Sequence, residues 1–392
     1  MQKKLITLAV ASLGVTGVAL ADSNVTLYGV IDLGYNNYKT SRDIKRSTSA
    51  YTDTTNVRLS GETSTTAVSD MVATTKFSGL EDGKLAGARI GVKGSEVLGR
   101  GLKAIFGYEF KLSPDVSTSG IEDSRTTYLG LAGRFGAVVA GYLQTAPKAW
   151  VDTYNPTTSK SFGGKDAYEA AAALVYSTLR TSSRAENAIG WRSPNWNGFT
   201  MKAGYSFKNE TEIADSTDTD ERKRRSYSLN ANYEVGPFGV GLILADLGKS
   251  NGDIQENGIR STGIGAHYDF GVADLSGTYA RVKRSVAPEK PGAHWSLGMR
   301  VPVGGSGKVY LSYAGSRPGA TDATDSDGLE QAVDGTSRFY SLGYTHNMSK
   351  RTAFYAGFTG GRSGELVGVS GTNDIVYTEK YTGYNVGLNH KF

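Results

Sequence analysis

Apolar and polar residues alternate with a period of two along many stretches of this chain. In residues 198–208 the odd positions, from Phe199 to Phe207, are apolar, whereas the even positions, among them Lys202, are polar or glycine. The same alternation recurs in residues 103–111, 225–235 and 294–303. A period of two predicts β-strands that bury one face. Runs of about ten residues also match the length that a tilted strand needs to cross a bilayer.

The connections between these stretches alternate between short and long. The short ones are rich in glycine, proline and asparagine, as tight turns are, and fall at 133–136, 194–198, 236–239, 270–272, 304–307 and 348–351. The long ones are polar and charged and cover 209–224, 248–258, 317–334 and 362–378. A soluble sandwich has no reason to gather its long loops at one end, whereas outer-membrane barrels combine short periplasmic turns with long external loops.

The pattern predicts an all-β chain that forms one transmembrane antiparallel β-barrel of about sixteen strands, with no domain boundary within residues 22–392. The predicted strands cover 25–35, 85–94, 101–112, 124–133, 136–143, 187–193, 198–208, 225–235, 238–247, 260–270, 272–283, 292–303, 307–316, 336–347, 351–361 and 379–392. Bacterial single-chain barrels have an even number of strands. A barrel of this size encloses a water-filled lumen.

The first 21 residues have the three parts of a secretory signal peptide. Lys3 and Lys4 precede an uncharged apolar stretch, and the small residues Ala19 and Ala21 predict cleavage after residue 21. An uncleaved membrane anchor is the alternative, although the stretch is short for a spanning helix. After residue 21 no apolar run approaches the roughly 18 residues of a transmembrane helix. An exported chain of this kind can still cross a membrane as a closed barrel.

Two predicted loops are longer than the others. Residues 36–84 are rich in serine and threonine and are expected outside the cell. Residues 145–186 contain an alanine-rich stretch, 164–176, which favours helix. Because a barrel of this width needs something to narrow its lumen, we expect the second loop, which follows the fifth strand, to fold inward. The alternative is another external loop.

Composition excludes several kinds of chemistry. The 392 residues include no cysteine, which rules out disulfides, thiolate metal sites and a cysteine nucleophile. The four histidines, His267, His294, His346 and His390, lie on different predicted strands, and their positions suggest no pairing with a catalytic serine or aspartate. We therefore expect no enzymatic activity, no cofactor and no metal. An outer-membrane enzyme such as a lipase or protease remains an alternative, as does an adhesin that uses the external loops.

Two charged loop segments could be interpreted as binding sites for nucleic acid or calcium. The basic run 222–225 follows four acidic residues of the same loop, so we expect a solvated external loop that contacts lipopolysaccharide phosphates, and no binding of nucleic acid. Segment 322–328 has carboxylates at calcium-like spacing but lacks a complete calcium loop, so an acidic surface loop is the preferred interpretation.

Basic residues concentrate on the polar faces of the predicted strands. Strand parity assigns the inward face to Arg89, Lys93, Lys103, Lys202 and Arg300, of which Arg89, Lys202 and Arg300 are expected nearest to mid-strand. The inward loop offers the acids Asp152, Asp166 and Glu169 beside Lys148, Lys160 and Lys165. A basic wall that faces a mixed loop predicts a modest preference for anions. The alternative is that these residues only solvate the lumen away from its constriction.

The predicted last strand ends on an aromatic residue. Its alternating face consists of Tyr384, Val386, Leu388, His390 and Phe392. An apolar face that stops at a terminal phenylalanine suits a final strand that completes a barrel.

Several segments together carry a family resemblance. They are VTLYGVID at 25–32, RIGVKGSEVLGRGLKA at 89–104, YLGL at 128–131, NAIGWRSP at 187–194 with the Gly-Phe pair at 198–199, and GLNHKF at 387–392. They resemble landmarks of the general porins of Gram-negative bacteria, of the type found in β-proteobacteria, over nearly the whole mature chain. The chain departs from that family at Gly141-Tyr142-Leu143, where many relatives have Gly-Arg-Gln.

The resemblance implies a homotrimer of sixteen-stranded barrels in the outer membrane, with the third loop folded inward as the constriction. It also implies that the C-terminal face ending at Phe392 is read by the barrel-assembly machinery. The expected function is a water-filled channel for passive diffusion of ions and small hydrophilic solutes, with a modest preference for anions. A substrate-specific anion channel of the same fold is the main alternative.

Overall fold

The strands of this chain join into one closed antiparallel sheet. The computed structural model describes residues 24–47, 71–116, 121–172, 183–207, 225–247, 259–284, 291–317, 331–370 and 373–392. The first strand pairs with the last, from Val30 opposite Lys391 to Ser47 opposite Asp374, which closes the sheet. The predicted signal peptide, residues 1–21, lies outside the described residues.

Eighteen strand segments make up the described part of the sheet. They are β1 (Asn24–Ser47), β2 (Met71–Asp82), β3 (Arg89–Gly99), β4 (Leu102–Leu112), β5 (Ile121–Gly133), β6 (Gly136–Gln144), β7 (Arg184–Arg192), β8 (Phe199–Ser206), β9 (Ser226–Val235), β10 (Phe238–Leu247), β11 (Ile259–Asp269), β12 (Asp274–Arg284), β13 (Gly292–Val303), β14 (Gly307–Arg317), β15 (Gln331–Asp334), β16 (Ser337–Asn347), β17 (Thr352–Ser370) and β18 (Asn373–Lys391).

These eighteen segments correspond to sixteen barrel strands, because two barrel strands are interrupted. β2 and β3 pair with successive parts of β1, residues 33–44 and 24–30. β15 and β16 likewise pair with successive parts of β17. The predicted all-β, sixteen-stranded antiparallel barrel is therefore confirmed over the described ranges.

A buried carboxylate fixes the interruption between β2 and β3. Asp32 accepts hydrogen bonds from the backbone N–H groups of Leu85 and Ala86, at 3.0 and 2.7 Å. It also accepts hydrogen bonds from the Tyr355 hydroxyl at 2.9 Å and from Asn389 Nδ2 at 3.0 Å. Four donors offset the cost of burying the charge, and they hold the bend between β2 and β3 against the inner wall.

Alternation along the strands separates an apolar outer surface from a polar inner one. On β18, Tyr384 and Leu388 are 52% and 51% exposed, whereas Asn385 and Asn389 are 3% and 2% exposed. Apolar side chains on the outer face suit contact with lipid, and the polar inner face suits an aqueous lumen and the loop that it encloses.

Two of the expected long loops are partly strands. β1 continues to Ser47 and β2 begins at Met71, within the loop expected over 36–84. The sequence of this extension, residues 36–47, is mainly polar, so it lacks the apolar alternation that identifies a spanning strand. β17 and β18 likewise pair into the loop expected over 362–378, beyond a register shift between Arg362 and Glu365 that interrupts the period of two.

A loop inside the barrel joins β6 to β7. It contains α1 (Ala146–Tyr154), a 3₁₀ turn (Phe162–Gly164) and α2 (Ala167–Ala172). Thr145 caps α1 by accepting a hydrogen bond from the Lys148 backbone at 3.4 Å. The alanine-rich stretch predicted from the sequence contains α2, whereas α1 was not predicted. No helix in the described part of the chain is long and apolar enough to cross a membrane.

Aromatic side chains fasten this loop to the inner wall. Trp150 Nε1 donates a hydrogen bond to the carbonyl of Gly241 on β10 at 3.0 Å. Phe162 packs over Gly343 and Gly357, where an added Cβ would come within 2.3 and 2.5 Å of its side chain. Both aromatic residues are almost completely buried. The glycines of the wall therefore provide the recesses that hold the loop.

Candidate functional site

The inward loop covers one side of the lumen. Its α1 packs on β8–β12, its 3₁₀ turn on β1 and β16–β18, and its α2 on β13, β14, β16 and β17. The inner wall of β3–β7 faces the loop across the lumen. An open cavity of about 450 Å³ lies beside the start of the loop and is lined by residues of β4–β9.

Two arginines on this wall contact one carboxylate, and a third interacts with it electrostatically. Glu109 on β4 lies 2.9 Å from Arg125 Nε and 3.4 Å from Arg89 Nε, and it accepts a hydrogen bond from the Tyr28 hydroxyl at 3.1 Å. Arg184, at the start of β7, interacts electrostatically with all three charged groups. This arginine cluster (Arg89, Arg125, Arg184 and Glu109) carries excess positive charge, which raises the local concentration of anions.

Arg125 reaches the lumen through a β-bulge. β5 pairs Thr126 and Ser124 with two consecutive residues of β4, so Arg125 has no partner position in the ladder. A bulge changes the direction of the side chain at that point. Strict alternation would instead place Arg125 on the outer face with Leu129, which is 68% exposed. For this reason the sequence did not identify Arg125 as a pore residue.

A second basic pair faces the first helix of the loop. Lys202 on β8 lies opposite Arg192 on β7, and it interacts electrostatically with both Arg192 and Asp152 of α1. Asp152 accepts a hydrogen bond from Gln144 Nε2 at 3.1 Å and forms an ion pair with Lys148. Because donors of its own segment already satisfy this carboxylate, it offsets the positive wall only in part.

The contacts of Gln144 show how deep in the lumen the arginine cluster lies. It pairs with Arg184 in the ladder between β6 and β7, and its side chain contacts Asp152. The arginine cluster therefore lies at the level where the loop enters the lumen, close to α1. That position is suitable for a constriction.

Two of the predicted pore residues lie closer to the short turns. Lys93 Nζ is 5.0 Å from the centre of the Tyr28 ring, four residues further along β3 than Arg89. Lys103 is exposed and lies in the second position of β4, beside the turn that joins it to β3. Both lie between the arginine cluster and the mouth of the barrel that carries the short turns.

Arg300 does not lie at mid-strand as expected. It lies three residues before the end of β13 and forms a 2.6 Å ion pair with Asp274, the first residue of β12 after a short turn. The loop covers this part of the wall, since a Cβ on neighbouring Gly298 would come within 2.4 Å of Pro156. The expectation is corrected because parity assigns a residue to a face and not to a depth.

The loop acids have separate positions. Asp166 is buried and accepts hydrogen bonds from Asn155 Nδ2 at 2.8 Å and from the Thr157 hydroxyl at 3.0 Å, which ties α1 to α2. Glu169 belongs to α2, but its side chain is outside the described residues, so its place in the constriction stays a prediction.

The sequence could have indicated more of this site. Glu109 and Arg192 occupy polar positions of predicted strands, so their charge alone could have identified them as pore residues. Arg184 precedes the predicted strand 187–193, because the pairing of β7 extends further than its apolar alternation.

The C-terminal residue closes the seam between β18 and β1. Phe392 and Gly29 exchange two backbone hydrogen bonds, at 3.1 and 3.2 Å. The Phe392 ring covers Gly29, where an added Cβ would lie 2.1 Å from the ring. All five residues of the predicted terminal face are exposed on the outer surface, including His390, whose Nδ1 lies 3.0 Å from Thr352 Oγ1.

The loop segments considered as sites for calcium, nucleic acid or lipopolysaccharide lie largely outside the described residues. The calcium-like segment 322–328 and most of the basic run 222–225 lie in undescribed ranges. Within the described ranges, no group of three or more histidine, aspartate or glutamate residues is arranged to hold a metal ion.

A closed barrel with an apolar exterior and a charged lumen narrowed by an internal loop defines a membrane channel. The sequence matches the family described as Gram-negative porin over residues 7–364. The chain belongs to this family: it is an outer-membrane porin of a Gram-negative bacterium, and it forms a water-filled channel for ions and small hydrophilic solutes.

Individual relatives agree with this assignment. Outer membrane porin protein 32 of Delftia acidovorans is 30% identical, and an outer membrane porin protein of Bordetella pertussis is 27% identical, each over 100% of both chains. The structure of an anion-selective porin from Comamonas acidovorans matches with a TM-score of 0.68 and 25% identity, over 95% of this chain and 100% of its own. A trimer form of OmpT from Vibrio cholerae shares the fold, with a TM-score of 0.57 and 13% identity over 94% of this chain and 99% of its own.

Proposed function

We propose that this porin prefers anions over cations to a moderate degree. The observation that carries the proposal is the arginine cluster, where two guanidinium groups contact the single carboxylate of Glu109 and that of Arg184 interacts with it electrostatically, beside the inward loop. The similarity to an anion-selective porin supports the same preference. Because the family consists of channels, we also infer that the chain has no enzymatic activity.

The expected preference follows from the size of the interaction. A unit charge about 8 Å from a permeating ion changes its energy by about 0.5 kcal/mol in bulk water, and by about 2 kcal/mol at an effective dielectric constant of about 20. Physiological salt screens charges beyond about 8 Å. Because of this screening, the preference should fade as the salt concentration rises. Tyr142, which stands where the family resemblance implies arginine, also keeps the preference moderate.

Liposome swelling tests this function with solutes of matched size. Glucose, gluconate and glucosamine differ mainly in charge, so a diffusion channel admits all three, and this porin should admit gluconate faster than glucosamine. Equal rates for the two charged sugars would contradict the anion preference. A flux that saturates for one anion would instead support a substrate-specific channel.

We propose that the porin is a homotrimer. The outer faces of β1 and β18 adjoin across the seam and carry Val25, Leu27 and Ile31 beside Val386 and Leu388, each at least 39% exposed. The trimer form of OmpT supports this assembly.

A matched pair of variants tests the trimer by light scattering in mild detergent. Leu27→Arg changes the proposed interface, whereas Leu297→Arg changes an equally exposed leucine on distant β13, at 57% against 54%. We expect only Leu27→Arg to yield monomers. A monomeric wild type would contradict the proposal.

We propose that residues 1–21 are removed on export and that the C-terminal face ending at Phe392 is recognised by the barrel-assembly machinery. The exposure of all five residues of that face on one side of β18 supports recognition in an extended form. Sequencing of the mature N-terminus should begin at Asp22. A mature chain that still begins at Met1 would contradict processing.

We propose that lipopolysaccharide phosphates contact the loop end of β11 and β12. Arg281 and Lys283 are exposed on the outer face, and Lys283 lies opposite Arg260, whose side chain is 61% exposed and pairs with Asp246. Basic side chains at the membrane surface attract lipid phosphates. Binding to vesicles of lipopolysaccharide should weaken when the lipid is dephosphorylated, and equal binding would contradict the contact.

A further inference from the structure

A second basic region lies on the other side of the inward loop, away from the arginine cluster. A cavity of about 490 Å³ lies between the loop and the inner wall of β13–β18, at the end of the barrel that carries the short turns. This volume is within the range of about 300–1,000 Å³ that is typical of small-molecule sites. The basic recess, as we name it, contains Lys160 of the loop, Lys308 of β14, Lys391 of β18, and Lys350 and Arg351 of a short turn.

Neutral groups hold the Lys160 ammonium at the recess. Its Nζ lies 3.4 Å from the Thr157 carbonyl oxygen, contacts the Thr158 hydroxyl, and lies 5.1 Å from the centre of the Tyr310 ring. These contacts orient the ammonium without cancelling its charge. An anion in the recess would supply the compensation that these groups do not.

The charges that face Lys160 come from every element around it and are mainly positive. Arg300 lies on β13, Lys308 on β14 and Lys391 on β18, whereas Asp166 of the loop is the acid that acts on it. Asp166 already accepts hydrogen bonds within the loop. Burial, followed by the repulsion of Arg300 and Lys308, lowers the pKa of Lys160 to about 8.

We propose that the basic recess binds small oxyanions that carry two or more negative charges, such as sulfate, phosphate or a polycarboxylate. Three lysines supply the attraction, and Thr345 and Asn347 of the wall offer neutral hydrogen-bonding groups. This inference rests on the proposed anion channel, because a bound anion in the lumen would hinder the passage of chloride. Since the recess lies on the short-turn side of the loop, the effect should depend on the side of addition.

Lys160 also makes the site sensitive to pH. Below its pKa of about 8 the ammonium is charged and attracts the anion, whereas above that pH the charge is lost and the anion is held less tightly. Sulfate remains a dianion throughout the neutral and mildly alkaline range, so it reports the change in the protein alone.

Planar-bilayer recording of the chloride current, with sulfate added to one side at a time, tests the proposal. We expect a saturable reduction of current when sulfate is on the short-turn side, and a several-fold weaker apparent affinity in Lys160→Gln and in Lys308→Gln. The matched control is Lys76→Gln, which removes an exposed lysine of β2, a strand that does not line the recess, and should block like the wild type. Equal block from both sides, or unchanged affinity in Lys160→Gln, would overturn the proposal.

A pH series separates the role of Lys160 from a general effect of charge. Block of the wild type should weaken as the pH rises from about 7 to about 9, whereas Lys160→Arg keeps its charge and should hold its block throughout. The same loss of block in Lys160→Arg would overturn the role of Lys160. A protein that passes no chloride current before sulfate is added would instead overturn the channel function.

Discussion

Replacing Glu109 by glutamine changes the charge of the constriction with little change of shape. Glutamine keeps a carbonyl oxygen that can accept hydrogen bonds from the guanidiniums of Arg125 and Arg89, which lie 2.9 and 3.4 Å from the carboxylate. The variant removes the negative charge on which the arginine cluster converges. The wall opposite the loop therefore gains one net positive charge.

The expected effect on selectivity is a few-fold. An additional unit charge at about 8 Å attracts an anion and repels a cation by about 0.5 kcal/mol each in bulk water, so their energies separate by about 1 kcal/mol. That energy corresponds to about a fivefold change in the ratio of the two permeabilities, and screening by salt reduces it to about two- or threefold. The ion pairs are partly exposed, so their loss should cost at most about 1 kcal/mol of stability.

The zero-current potential in a KCl gradient measures this change. Glu109→Gln should move the potential further toward anion preference at low salt, with a smaller shift at high salt. Glu96→Gln is the matched control, because Glu96 is exposed on the outer face of β3 and should leave the potential unchanged. An unchanged potential in Glu109→Gln, with normal conductance, would refute the placement of the arginine cluster at the narrow part of the pore.

Three further changes test other parts of the structure. Arg89→Gln and Lys202→Gln should each move the zero-current potential toward cations, whereas Arg300→Gln should move it less because Arg300 is already paired at 2.6 Å; an equal shift from Arg300→Gln would contradict its assigned depth. Phe162→Ala should weaken the attachment of the loop by about 3–5 kcal/mol and raise single-channel conductance, and unchanged conductance would argue against this anchor. Deletion of Phe392 removes at most about 2–3 kcal/mol of apolar burial, so the barrel refolded in detergent should stay stable while its amount in the outer membrane falls; normal amounts would count against a role in assembly.

The barrel itself was predictable because each spanning strand meets lipid on one side and a polar lumen on the other. The sequence of β8 shows this alternation directly, because Phe199 and Tyr205 face outward whereas Lys202 faces the lumen. The even strand number, the short turns at one end and the terminal phenylalanine gave independent support for closure. The expectation of a trimer came from the resemblance to the porin family, because alternation along a strand does not indicate an oligomeric state.

The pore was only partly predictable, because neither the depth of a side chain in the lumen nor a break in the strand backbone can be recognised from the period of two. Arg125 turns inward at a bulge, so parity assigns it to the wrong face. Arg300 has the expected face but lies near the short turns, with its charge paired by Asp274. The positions of the buried aromatics of α1 depend on contacts with distant strands, as Trp150 shows through its hydrogen bond to Gly241.

Single-channel recording of the wild-type protein in a KCl gradient tests the central claim most directly. The claim is that the lumen is a water-filled passage whose narrow part is lined by the arginine cluster. The account predicts stepwise currents with a zero-current potential on the anion side at low salt, declining as the salt concentration rises. A potential on the cation side at low salt, or insertion into the bilayer without any current, would contradict it.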